Sequence, residues 1–545
     1  MLQPKNRNQK YNDLFTDVDR GLIKIPKFQR EFVWSKEQTA KLIDSLIKGF
    51  PIGTFIYWET RDELRYIKNI GNAPLPDTLK GHIVSYILDG QQRITSLYAV
   101  RKGVLWTRED GYEINYKDVS INLALDPDAD EQVVVVEPPE DAPSISVHKL
   151  LNGSLTELTK EYGKDVDLIE KIDIYRTRLT GYDFSTIVIA DYPIDVACEV
   201  FTRINKGGTE LTLFEIMVAK TYDEKRKFDL AREYERLIDN KKGAEKDLED
   251  VGFETIPSST VLQCMSAYLC QQVRGKDILK LNKSDFIDNW STIKNGLFHA
   301  VDYIRTHLRI PVSQLLPYNS LLVPLTYFFI RNGGKAPSVL QDKLLRQYFW
   351  WASLSGRFSS AADSKIARDL ERMDNIRAEK PPSYRGEEVK LTMDDLRWYW
   401  FSTGDAFCKA ILCLYAYFRP MSFKYNSPTT IDNSWLIRSN SKNYHHFFPK
   451  SYLKKQEYED WKANSILNIT IVDEQLNKGD IRASAPSKYM KTFKTTNREL
   501  SNTMKTHLID DIDAYGIWND DYYTFIECRG QRVLKELKKR LEPKL

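Results

Sequence analysis

Periodicity changes character twice along this chain, which confines it to a multi-domain fold of mixed class. Up to about residue 235, strand-like and helix-like runs alternate; from 236 to 425 apolar residues recur mainly at helical spacing; after 426 short strands return ahead of a helix-prone tail. One hydrophobic core does not serve 545 residues, so the shifts read as boundaries, giving an α+β, multi-domain chain with domains at 1–235, 236–425 and 426–545. With 42% hydrophobic and 12% aromatic residues, the composition supplies folded cores and excludes a mainly disordered chain.

Local signals place the elements. Ser35 and Gln38 form a capping box ahead of a helix whose apolar positions run from Leu42 to Phe50. Strands are expected at 54–58, 84–88, 119–125, 133–136 and 186–190. The second of these runs into Asp89-Gly90 and a helix, so DGQQR sits at a strand-to-helix turn. The stretch 126–141 is acidic, without Lys or Arg, and reads as a solvated loop region. In the middle, long amphipathic runs cover 343–354 and 393–418, and Pro381-Pro382 marks an internal linker. Further strands are expected near 444–448 and 467–472.

No stretch reaches the roughly 18 apolar residues of a membrane span; the nearest runs, 321–330 and 411–418, are short. The first ten residues lack the apolar core of a signal peptide, and the six cysteines form no CxxC pair. The expectation is a cytoplasmic protein with no membrane partner.

Charge argues in two directions. Lys and Arg number 79 against 76 Asp and Glu, a net of +3, which excludes a polybasic protein held on nucleic acid by bulk charge. Between Arg438 and Lys505, however, 13 basic residues face 7 acidic ones, a surplus of six in that segment alone.

Inside that basic segment lie His445 and His446 in NYHHFFPKSYL, then Asn468 in SILNITIV and Asn477 in DEQLNKGD. Adjacent strand residues point to opposite faces, so the two histidines serve different jobs only if the strand bends there, which Pro449 encourages. Taken singly, a His pair and two turn-forming asparagines are ordinary strand and loop residues. The ordered set resembles the ββα-metal nuclease motif called HNH, in its His-Asn-Asn form. That resemblance implies His446 as general base, His445 and Asn477 as holders of one Mg²⁺ or other divalent cation, and Asn468 as the residue orienting His446 through its side chain or backbone.

Three polar motifs mark the N-terminal part: IPKFQREFVW at 25–34, LDGQQRITSL at 88–97 and VFTRINKGGTEL at 200–211. Gln91, Gln92 and Arg93 fall in the first turn of a helix, where free N–H groups attract anions; Arg30 and Arg203 add guanidinium groups suited to phosphate. Thr212 and Glu215 cap the next helix. Neither a Walker A loop nor a GxGxxG fingerprint is present. Asp89 contacts a metal, caps its helix or orients Arg93, with capping the adopted reading.

In this order, and followed by the His-Asn-Asn set, the motifs resemble the GmrSD-type modification-dependent (type IV) restriction endonuclease family. The resemblance implies a ParB/sulfiredoxin-like α+β domain at 1–235 that binds and hydrolyses a nucleoside triphosphate, a helical connecting domain, and a C-terminal HNH nuclease domain. Gln29, Arg30, Asp89, Gln91, Gln92 and Arg93 would form the nucleotide site, with Arg203 and Asn205 as its third wall. The implied activity is nucleotide-gated, metal-dependent cleavage of modified phage DNA in antiviral defence, with a homodimer left open. Two alternatives stand beside it: a non-cutting nucleotide-sensing switch that binds nucleic acid, and an RNA-directed or indiscriminate nuclease toxin.

Overall fold

Runs rich in β-branched and aromatic residues pair into one mixed sheet near the start of the chain. The computed structural model describes residues 3–29, 32–78, 81–107, 113–138, 140, 142–163, 165–204, 212–240, 246–433, 444–472, 481 and 483–542. Its contacts divide the chain into two units, Met1–Leu230 and Ala231–Leu545.

In the first unit the strands lie in the order Lys5–Lys10, Asp183–Ala190, Phe55–Thr60, Val84–Asp89, Ile23–Lys24. The outer partners of Asp183–Ala190 and Val84–Asp89 differ in sense: Lys5–Lys10 is antiparallel to the former, Ile23–Lys24 parallel to the latter. Register sets Tyr57 opposite Ile87 and Trp58 opposite Tyr86. Phe55, Tyr57, Ile87 and Phe184 join the apolar faces of helices Tyr11–Asp19, Lys36–Ile47 and Gln91–Lys102 in one core. The expected strands at 54–58, 84–88 and 186–190 are present, each slightly longer.

The two runs at 119–125 and 133–136 shrink to Ser120–Asn122 and Val134–Val135, in a small sheet with Ser144–Ser146. Asn122 ends the first by accepting the Ala124 N–H at 3.0 Å, a side-chain turn that competes with strand pairing. Asp44 accepts the N–H groups of Val133 and Val134, tying the second to helix Lys36–Ile47. In the acidic stretch the described carboxylates are exposed, whereas Val133 and Val134 within it are buried, and two of the acids are anchored: Asp126 pairs with Lys171 at 3.0 Å and Asp128 with Arg178 at 2.7 Å. Both capping boxes, Ser35 with Gln38 and Thr212 with Glu215, form as the sequence predicts.

The second unit is mostly helical. Leu322–Arg331 is apolar on every side, and its residues 322–329 are all buried, as a helix without a polar face must be. It packs against Ser258–Cys270, Trp290–Thr306 and Ala362–Arg377. No helix among the described residues is long and apolar enough to cross a membrane.

Two readings of the middle need correction. The run 393–418 is not one helix: a short turn at Asp394–Arg397 and helix Ala406–Tyr417 flank an irregular segment. There Trp400 bridges to Ser465, Phe401 N–H donates to the Asn464 carbonyl at 2.9 Å, and the Ile466 N–H donates to Tyr399, so tertiary pairing displaces the helix. Asp405 then caps the restart by accepting the Cys408 N–H at 2.8 Å. The segment after Pro381-Pro382 is not a free linker either. Tyr384 packs on Trp351 with ring centroids 4.4 Å apart, and the Glu387 carbonyl accepts Trp351 Nε1–H at 2.7 Å, making the segment a strap on helix Val339–Leu354.

Candidate functional site

Strand Tyr444–His446 pairs antiparallel with Ile469–Ile471, His445 opposite Thr470 and His446 opposite Ile469, and helix Pro486–Thr496 follows. The two histidines occupy different surroundings, as strand alternation requires. His445 is buried, edge-on to Phe423 and Tyr489 at ring separations of 6.4 and 6.1 Å. His446 is half-buried, and its Nε2 lies 3.0 Å from Asn464 Oδ1. Burial drives the His446 pKa down to about 4, with the Asn464 bond opposing and the Lys450 ammonium reinforcing the shift. The imidazole is therefore neutral near pH 7, the form that accepts a proton.

Asn468 is fully buried and works on the main chain rather than on the His446 ring. Its Oδ1 accepts the Phe448 N–H, and its Nδ2 donates to the carbonyls of Phe448 and Ala463, all at 2.9 Å. The turn after His446 is thus locked, while the ring itself is oriented by Asn464, a residue the sequence did not single out. Asn464 Nδ2 in turn donates to Phe401 O at 2.9 Å. From the other side Arg529, 1% exposed, donates to the carbonyls of Leu467, Ile469 and His507 and stacks 4.6 Å over Tyr415. A buried cation satisfied by three carbonyls fixes where the second strand begins.

Among the described residues, no group of three or more His, Cys, Asp or Glu side chains gathers to hold a metal ion. The expected donor set, one imidazole and one amide, asks less: it leaves most positions of an octahedral ion to water and phosphate. Its first member, His445, lies in this hairpin; Asn477 falls outside the described residues.

The N-terminal motifs converge in the first unit. Gln29 Nε2 donates to the Ile87 carbonyl, Val33 N–H donates to Gln92 Oε1 at 3.0 Å, and Phe28 meets Phe201 edge-on at 5.5 Å. Arg30 and Asn205 lie outside the described residues. Gln91 and Gln92 are buried, and Arg203, on helix Ile194–Ile204, is exposed and paired with Glu199 at 2.6 Å.

Asp89 does not cap its helix. Gly90 takes the N-cap position at φ +97° without a side-chain bond, and Asp89 Oδ2 instead accepts from Arg93 at 3.1 Å. Arg93 also donates to the carbonyls of Ile52 at 2.6 Å and Thr54 at 3.0 Å and lies 5.0 Å over the Phe55 ring. Its guanidinium thereby ties the entry of strand Phe55–Thr60 to the end of Val84–Asp89. At Gly90 a Cβ would stand 2.3 Å from Phe55 Cδ1. Gly90→Ala is expected to cost about 2 kcal/mol or more through backbone strain and overpacking, read as a lower thermal or urea midpoint.

Over 96% of its length the chain is 24% identical to an uncharacterized protein of Methanocaldococcus jannaschii, covering 94% of that protein. Residues 11–222, nearly the whole first unit, match the family described as GmrSD restriction endonuclease, N-terminal domain.

Proposed function

We propose that this protein is a divalent-metal-dependent DNA endonuclease of the restriction type, acting against phage DNA that carries a modification and gated by a nucleoside triphosphate. The observation that carries the reading is the hairpin of the second unit: His446 at a strand end, its ring held by Asn464 and the following turn locked by Asn468. The N-terminal match supports the restriction context.

In this reading His446 accepts a proton from the attacking water, and Asn464 keeps the imidazole nitrogen in the required orientation. His445 and Asn477 would hold the divalent cation, which offsets charge on the scissile phosphate when bound. Lys450, Lys454 and Lys455 lie in the connection just after strand Tyr444–His446 and favour a polyanionic substrate.

Triphosphate binding is assigned to the convergent N-terminal motifs, with a division of labour. Arg93, Asp89, Gln29 and Gln92 build the wall, and Arg203, the exposed guanidinium on the third motif, contacts phosphate together with Arg30 and Asn205. Arg203→Ala is expected to lower nucleotide turnover at least tenfold with an unchanged thermal midpoint; parental turnover would move the pocket elsewhere.

The decisive experiment compares modified phage DNA, unmodified DNA and RNA, each with and without Mg²⁺ and nucleoside triphosphate. Cleavage confined to modified DNA with both additions is the expected result. Equal cleavage of unmodified DNA without nucleotide removes the gating and the selectivity together.

A further inference from the structure

A groove of about 860 Å³ opens in the second unit between the end of helix Val339–Leu354, the strap and the irregular segment after Asp394–Arg397. That volume lies within the range of small-ligand sites. Trp398, Tyr399 and Trp400 form one wall, and Trp400 leaves 51% of its surface exposed, an uncommon position for so large an apolar ring.

The groove is unsuited to a phosphate chain. Four carboxylates (Glu387, Glu388, Asp394, Asp395) line it against three cations (Arg357, Lys365, Lys390), a net of −1. Arg357 is already committed to Asp369 and Glu387, and Lys365 to the Arg357 carbonyl. Glu388 and Asp395 each spend one oxygen locally, on Gly386 N–H and on Thr392, and a carboxylate has further acceptor sites. Flat aromatic faces beside carboxylate acceptors suit a neutral planar group that donates N–H bonds.

The groove also adjoins the hairpin. Lys450 Nζ lies 5.6 Å from the centre of the Trp400 ring, and Phe401, the next residue, exchanges hydrogen bonds with Asn464, the partner of His446. We infer that the groove receives an unpaired nucleobase with an exocyclic amino group, stacked on Trp400 and held through that amino group by Glu388 or Asp395, while Lys450 meets the adjoining phosphate. A base drawn out of the stack would set the backbone beside His446. The inference rests on the nuclease reading for its purpose, but its binding test does not.

Binding of labelled single-stranded oligo-dC and oligo-dT is measured by fluorescence anisotropy in EDTA, so that no cutting occurs. Oligo-dC is expected to bind more tightly than oligo-dT. Trp400→Ala should weaken oligo-dC binding about tenfold, the scale of one lost base stack, while Trp400→Phe stays close to wild type. Glu388→Gln should narrow the preference for oligo-dC. Wild-type affinity in a Trp400→Ala protein with an unchanged thermal midpoint overturns the groove; equal affinity for the two oligonucleotides overturns the amino-group contact. If His446→Ala cuts DNA normally while Trp400→Ala loses binding, the nuclease assignment fails and the groove survives.

Discussion

His446→Ala is expected to reduce metal-dependent DNA cleavage by about 10²- to 10⁴-fold, the contribution typical of a positioned general base. The variant should fold, because the ring has one described hydrogen bond, to Asn464, and Asn468 holds the turn independently through Phe448 and Ala463. DNA affinity in EDTA should stay near the parental value, separating lost chemistry from lost binding. Asn464→Ala provides a graded companion: the imidazole remains, but its orientation is released, and the fall should be about tenfold. Asn468→Ala predicts the opposite profile, a large drop in stability, since three buried main-chain groups lose their partner together. Purified His446→Ala that cuts at the parental rate would falsify the assignment of this hairpin as the cleavage site.

The contrast between Asn464 and Asn468 also marks where sequence reading ends. Strand, glycine turn and helix at Asp89, Gly90 and Gln91 were legible because the signals are local: a β-branched run, a residue free to take positive φ, then helical spacing. The task of Arg93 was not, since its carbonyl acceptors on Ile52 and Thr54 lie 41 and 39 positions away. Asn464 and Asn468 stand four positions apart in ANSILNITIV, and no local pattern says which reaches the imidazole and which the backbone. The break at 398–405 was legible in part: Ser402, Thr403, Gly404 and Asp405 are poor helix formers, and Asp405 suits the cap of the helix that follows. That Trp400 and Phe401 pair with the segment ahead of strand Ile469–Ile471 was not, because the partners lie more than sixty positions away.

The strap that walls the groove depends on one fully buried carboxylate. Asp369 is 0% exposed and accepts Arg357 Nε at 2.7 Å and an Arg372 N–H at 2.6 Å; both guanidiniums continue to Glu387 on the strap. Arg357 and Arg372 also lie over the Trp351 ring at 5.0 and 4.5 Å. Burial lifts the Asp369 pKa above the ordinary carboxylate value against the pull of both arginines, so desolvation is a large opposing cost within this cluster. Such a cluster adds little net stability when intact, yet breaking it leaves two desolvated cations facing a single, partly exposed Glu387. Asp369→Ala should therefore destabilise the protein by about 3–5 kcal/mol, the range for an orphaned buried charge, measured by urea unfolding. Glu387→Ala should cost less, because water reaches that carboxylate, but it releases the strap from Arg357 and leaves Arg372 only its bond to the Ser383 carbonyl at 3.2 Å. The two variants separate stability from recognition: Glu387→Ala, still folded, should weaken oligo-dC binding through a loosened groove wall. An Asp369→Ala protein as stable as wild type would mean that the arginines find other partners and that the strap is held without Asp369, by Tyr384 on Trp351 and by the Trp351 bond to the Glu387 carbonyl.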